Sequence, residues 1–193
     1  MTPTDPIILS TERLTLRPLV ETDALALFQI HADPEVMRYW ASPPWTEMEQ
    51  AHQCIARGQD GFATGSHFQF GIERRADHAL VGICSLFSFN LPNRRAEMGY
   101  ALGRPFWGMG YMNEALHALV DHAFGPLNLH RLEADIDPRN HASAKTLERL
   151  GFQKEGYLRE RWIVNNEVSD TAFYGLLCRE WDENKSNTER QST

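Results

Sequence analysis

Between Glu97 and Phe124 the side-chain pattern changes its period from two to nearly four, and it does so across two glycines set one residue apart. Met98, Tyr100 and Leu102 alternate with Glu97, Gly99 and Ala101, which predicts a strand. Met112, Ala115, Leu116, Leu119, Val120, Ala123 and Phe124 recur at helical spacing and predict a helix with one apolar face. Gly125-Pro126 should stop it, with the glycine in a left-handed cap. The stretch between, Arg104-Pro105-Phe106-Trp107-Gly108-Met109-Gly110, must convert a strand into a helix within a few residues. Such a loop aims several backbone N–H groups and the positive end of a helix dipole at one point, which suits a phosphate without any cationic side chain. A dinucleotide pattern asks for a third glycine where this chain has Asn113, and a P-loop asks for a Gly-Lys-Ser/Thr run that is absent. A tight turn that uses its glycines for steric reasons alone is the plainer reading of the same residues.

The remaining elements constrain what surrounds that loop. Arg13 to Leu19 alternates and reads as a first strand. Glu21-Thr22-Asp23 offers N-cap chemistry to a helix whose face is Leu25, Phe28 and Ile30, with Ala24 and Leu27 adjoining. Asp33-Pro34-Glu35 restarts a short helix. A further helix is expected from Thr46 to Gly58, with Thr46 and Glu49 in capping-box register. His67 to Glu73, Leu80 to Phe89 and the Glu97 strand form an antiparallel meander. After the central helix come a strand from His130 to Asp137 and a helix capped by Asp137-Pro138-Arg139-Asn140 that Gly151 ends. Two strands, Gln153 to Val164 and Val168 to Cys178, then flank an Asn165-Asn166 turn. The order is β-α-α-β-β-β-α-β-α-β-β, an α+β fold with one sheet covered by helices. Residues 1–181 should form a single domain, followed by a polar tail over 182–193.

Composition excludes several functions. A chain of 193 residues can bury a core without staples. A net charge of −7 argues against general nucleic-acid binding and against anionic membrane surfaces. No apolar run is long enough to span a bilayer. Three scattered cysteines, Cys54, Cys84 and Cys178, give neither a disulfide framework nor a metal spacing, and the eight histidines show no ligand pattern. With no leader-like start, a cytoplasmic location and no metal are the expectations.

Four blocks together resemble one family. Thr11-Glu12-Arg13-Leu14-Thr15-Leu16-Arg17-Pro18 resembles an opening strand of the RimJ/RimL branch of the GNAT-superfamily N-acetyltransferases. Ala96-Glu97-Met98-Gly99-Tyr100 resembles that branch's fourth strand, and Trp107 to Ala115 its pyrophosphate loop. Asp137 to Ser143, with Leu150-Gly151-Phe152, resembles its later Asn-x-x-Ser block and helix end. The similarity runs from about Thr11 to Trp181. It implies a central mixed, mostly antiparallel sheet of about seven strands with helices on both faces, and acetyl-CoA as co-substrate. Two positions depart from the pattern: Pro105 stands where Gln or Arg is frequent, with Arg104 one step earlier, and Leu147 stands where many relatives carry a tyrosine general acid.

The resemblance implies roles for particular residues. The pyrophosphate would sit on backbone N–H groups from Gly108 through Met109, Gly110 and Tyr111 to Met112, flanked by Trp107 and Arg104. The pantetheine arm would run beside Met98, Tyr100 and Leu102 and touch Asn140. Glu97 would take a proton from the attacking amine, and Ser143 would protonate the leaving thiolate. Read without the family, Glu97 is equally a solvated strand carboxylate paired with Arg95 or Arg75, and Asn140 and Ser143 are equally a helix cap. The implied activity is acetyl transfer to a primary amine, a protein or peptide N-terminus first and a small-molecule amine second. A non-catalytic CoA-binding module is a further alternative, and a homodimer is expected by analogy.

Overall fold

The computed structural model describes residues 6–183. Eight strands form one sheet: β1 (Leu9–Ser10), β2 (Leu14–Pro18), β3 (Phe68–Arg74), β4 (Ala79–Asn90), β5 (Arg95–Leu102), β6 (Arg131–Ile136), β7 (Gln153–Val164) and β8 (Glu167–Leu177), in the spatial order β1-β2-β3-β4-β5-β6-β8-β7. The seven expected strands are present, and the two-residue β1 is the addition. Every neighbouring pair is antiparallel except β5 and β6, which run parallel. The helices are α1 (Ala24–Ala32), α2 (Pro34–Met37), α3 (Glu49–Thr64), α4 (Tyr111–Phe124) and α5 (His141–Arg149).

Two cores explain the layering. On one face of the sheet, Ala115, Leu116, Leu119 and Val120 of α4 and Leu147 of α5 pack against Leu16, Phe70, Leu86 and Met98. On the other, Leu27 and Ile30 of α1 and Ala51, Cys54 and Ile55 of α3 pack against Leu80, Ile83 and Ala101. In β5 the alternation divides accordingly, with Met98 serving the first core and Ala101 the second. No helix among the described residues is long and apolar enough to cross a membrane.

Four local expectations are corrected. Leu25 is 58% exposed and Phe28 half-buried, while α1 buries Ile30 and the adjoining Ala24 and Leu27 as expected, together with His31. A 3₁₀ turn at Glu21–Asp23 precedes the helix, and His31 stacks on Trp45 with ring centroids 4.1 Å apart. Helix α3 runs past Gly58 to Thr64 and ends at Gly65, whose φ is +69°. Gly58 and Gly61 stay inside it because a Cβ would come within 2.8 Å of Gln69 Oε1 and 2.6 Å of the His67 carbonyl oxygen; these glycines let the helix lie close on β3. Its N-terminus is closed by Gln50, whose Oε1 accepts from Thr46 N at 2.9 Å and Glu47 N at 3.1 Å, in place of the Thr46–Glu49 box. Gly125 caps α4 at φ −81°, and the left-handed residue in that turn is Asn128 at φ +50°. At the C-terminal end residues 178–183 are helical, and the expected polar tail beyond residue 183 lies outside the described residues.

The feature that positions the site is a short pairing. Arg95, Ala96 and Glu97 of β5 pair with Arg131, Leu132 and Glu133 of β6, and the register ends there. β5 continues against β4 to Leu102, and β6 continues against β8 to Ile136. The two strands therefore part after Glu97, in the middle of the sheet.

Candidate active site

The glycine loop lies at the head of α4. Gly108 and Gly110 have φ of +75° and +80°, and Gly110 is the N-cap of the helix. Left-handed backbone of this kind strains residues that carry a Cβ, so conformation alone favours glycine at both positions. Arg13, immediately before β2, holds the loop from behind. Its Nη1 donates to the Met109 carbonyl at 2.9 Å, its Nε donates to Glu114 Oε2 at 2.6 Å, and its guanidinium lies 4.7 Å from the Tyr111 ring centroid. Glu114 also accepts from Thr11 Oγ1 at 2.5 Å and from Arg13 N at 2.8 Å. Burial works against its charge, yet these hydrogen bonds hold its carboxyl below the ordinary range. The acidic side chain in the first turn is thus neutralised locally, and the helix N-terminus keeps its partial positive charge for an anion. Trp107 is exposed and its Nε1 donates to the Leu102 carbonyl at 2.7 Å. Met109 is exposed, while Tyr111 and Met112 are half-buried. Arg104 makes an ion pair with Asp33, Nε to Oδ2 at 3.1 Å.

Where β5 and β6 part, a cleft of about 560 Å³ opens. Its walls are Glu97 to Tyr100 on β5, Ala134 to Ile136 on β6, the α2–α3 connection from Met37 to Pro44, and Trp162, Val164 and Glu167 of the β7–β8 hairpin. Trp40 lines it, whereas Trp45 is committed to His31. Glu97 is half-buried, and its carboxyl is raised above the ordinary range by burial and by the nearby Asp135 carboxylate, against a hydrogen bond from Ser88. Ser88 reaches it because β4 is irregular between Phe87, opposite Glu97, and Asn90, with Ser88 at φ +52°. Neither Arg95 nor Arg75 is the partner of Glu97: Arg95 pairs with Glu133, and Arg75 donates to the Thr11 carbonyl at 2.9 Å. Asp135 has Arg161 Nε at 3.4 Å, and its buried Oδ2 makes no hydrogen bond among the described residues.

The floor of the cleft is the start of α5. Asn140 is its N-cap, with Oδ1 accepting from Ser143 N at 3.1 Å. Ser143 Oγ and the Tyr100 hydroxyl are 2.7 Å apart. Burial pushes the Tyr100 phenol up to about 12. Leu147, one turn further on, is 0% exposed and belongs to the core. Both residues implied in proton transfer, Glu97 and Ser143, therefore line one cleft, and the glycine loop stands apart from it at the head of α4.

Four contributors escaped the sequence reading. Asp135 was legible in principle, since alternation from Arg131 puts Glu133 and Asp135 on one face. The Arg13–Glu114 clamp and the Tyr100–Ser143 contact join residues about a hundred and about forty positions apart, and no local pattern announces them. Ser88 reaches the site only through the irregularity of its strand.

The arrangement matches known proteins. A family described as an acetyltransferase (GNAT) domain covers residues 13–153. The N-acetyltransferase p20 of Bacillus licheniformis is 40% identical over 173 residues, spanning 90% of this chain and 97% of that protein. The ribosomal protein uS5-alanine N-acetyltransferase of Escherichia coli is 27% identical over 182 residues, spanning 90% and 92%. Among solved structures, RimL, a ribosomal L7/L12 alpha-N-protein acetyltransferase, superposes with a TM-score of 0.80 at 22% identity, covering 89% of this chain and 94% of that one. A family match that spans most of the fold, joined to a relative so similar over nearly its whole length, makes the chain a member of the GNAT family in its RimJ/RimL-like branch and an N-acetyltransferase that draws its acetyl group from acetyl-CoA.

Proposed function

We propose that the acceptor is the N-terminal amine of a protein or peptide and that Glu97 is the general base of a direct attack. The observation that carries this is a half-buried carboxylate, raised by burial and by Asp135, at the point where β5 and β6 part. A base works best when its proton affinity approaches the working pH, and a group so placed contributes roughly 10²–10⁴-fold. On this reading Glu97 takes a proton from the amine through a water, and the nitrogen attacks the thioester carbonyl carbon. The C–N bond forms, the C–S bond breaks, and Ser143 gives its hydrogen to the departing sulfur. The pyrophosphate rests on N–H groups from Gly108 to Met112, with Trp107 and Arg104 beside it, and the pantetheine arm follows the edge of β5 from Met98 to Leu102 toward Asn140.

The acceptor class follows from acid–base chemistry. At pH 7 an α-amine is neutral at roughly the ten-per-cent level and a lysine side chain below about one in a thousand. A carboxylate base suits the former. The relative that acetylates the alanine of ribosomal protein uS5 supports a polypeptide acceptor. A small cationic amine is the competing class, favoured by the carboxylates of Glu97, Asp135 and Glu167 along the cleft. CoA release measured over a panel of alanine-, serine- and methionine-initiated peptides, free lysine and polyamines decides between them. Faster turnover of peptides is expected, and a polyamine acetylated far faster than every peptide would overturn the proposal.

A further inference from the structure

The thiolate that leaves acetyl-CoA needs a proton, and Leu147, one turn beyond Ser143 on α5, is buried in the core and offers none. A phenol nevertheless reaches the same end of α5 from the other side. Tyr100 stands on β5, and its hydroxyl meets Ser143 Oγ at 2.7 Å on the cleft floor. The alternative acceptor for that phenol, the Ser143 carbonyl oxygen, is at 3.4 Å, beyond the usual range for an O–H···O bond.

We infer that Tyr100 is a positioning residue for protonation of the leaving thiolate, donating its phenol hydrogen to Ser143 Oγ so that the Ser143 hydroxyl hydrogen is directed into the cleft. A serine hydroxyl has one hydrogen and two lone pairs; a donor fixed on a lone pair removes the orientations in which that hydrogen would turn toward the phenol. Burial keeps Tyr100 in its O–H form at neutral pH, so it is a constant donor. The hydrogens balance. As the C–S bond breaks, sulfur takes the Ser143 hydrogen and Ser143 Oγ regains one from water in the cleft, while the amine's proton passes from Glu97 to water, so the phenol keeps its own hydrogen throughout. This inference rests on the acetyl-transfer reading, with Ser143 as the acid.

The test varies the leaving group. With acetyl-CoA and the fastest acceptor of the panel above, Tyr100→Phe should lower kcat about 10- to 10²-fold while KM for acetyl-CoA changes less than about threefold. With an acetyl thioester of a more acidic aromatic thiol, whose thiolate leaves unprotonated, Tyr100→Phe and Ser143→Ala should both recover most of the wild-type rate. The double variant should be no slower than Ser143→Ala, and Ser143→Thr, which keeps a hydroxyl, should retain most activity. Equal losses with both donors, additive losses in the double variant, or an effect confined to KM would overturn the inference. If Tyr100→Phe unfolds, the Ser143 variants carry the donor comparison. Wild-type turnover that Glu97→Gln removes and Tyr100→Phe leaves intact would keep the acetyl-transfer reading and sink this one.

Discussion

The head of α4 and the cleft handle charge in opposite ways. At the loop the one acidic side chain of the first turn, Glu114, is bound by Arg13 and Thr11, and the backbone offers its own partial positive charge. In the cleft, carboxylates crowd together and the proton affinity of Glu97 rises. The first region is nearly contiguous in sequence, from Arg104 to Glu114 with Arg13 added. The second is gathered from five strands, a helix start and a connecting segment. A loop built from one stretch of chain can hold a ligand by local geometry alone, whereas a site assembled from scattered pieces can change without disturbing that loop.

Four changes would break or sharpen that contrast. Glu97→Gln should lower kcat by roughly 10²–10⁴-fold and leave the calorimetric affinity for acetyl-CoA within about threefold. An equal loss of affinity would mean that the two regions are not separate. Gly110→Val should do the reverse. A β-branched residue at φ +80° is strained by roughly 1–3 kcal/mol, so acetyl-CoA affinity should fall about 10- to 10²-fold with kcat at saturation little changed. Leu147→Tyr tests whether a phenol can be placed one turn beyond Ser143 on α5. Overpacking a fully buried site should cost about 1–3 kcal/mol, with the melting temperature down by about 2–4 °C per kcal/mol and no gain in rate. The smallest effect is expected from Asp135→Asn. Removing a negative charge beside Glu97 makes its carboxyl ionise more readily, so the base form persists to lower pH. The acid limb of the kcat/KM profile should therefore move toward lower pH, and a shift upward would disprove the coupling.

What the sequence revealed follows the same division. Helix α4, the loop and the Asn140 cap are legible because period and glycine spacing are local properties. The face of α1 was misread at Leu25 because the buried positions, Ala24, Leu27, Ile30 and His31, keep helical spacing among themselves and leave Leu25 on the outer side. The length of α3 was misread because Gly58 and Gly61 look like helix breakers and act as contact points against β3. In the cleft Glu97 and Ser143 were singled out through family resemblance and Asp135 was within reach of strand alternation, but Ser88 and the Tyr100 phenol were not. Their roles depend on strand register and on an irregular stretch of β4, which are properties of pairing between distant segments.

The early end of the β5–β6 pairing has a thermodynamic consequence. A sheet interrupted at its centre has backbone groups from Met98 to Leu102 whose edge on the β6 side meets no strand among the described residues, and a pantetheine arm on the proposed path along that edge would complete the ladder. Bound donor then acts as a structural member, and its affinity adds to folding stability by mass action, about 2.7 kcal/mol at a hundred times the dissociation constant. Amide hydrogens on β5 and β6 beyond the parting should exchange more slowly in the loaded protein than in the empty one, which would make the empty protein softest along the line proposed for its donor.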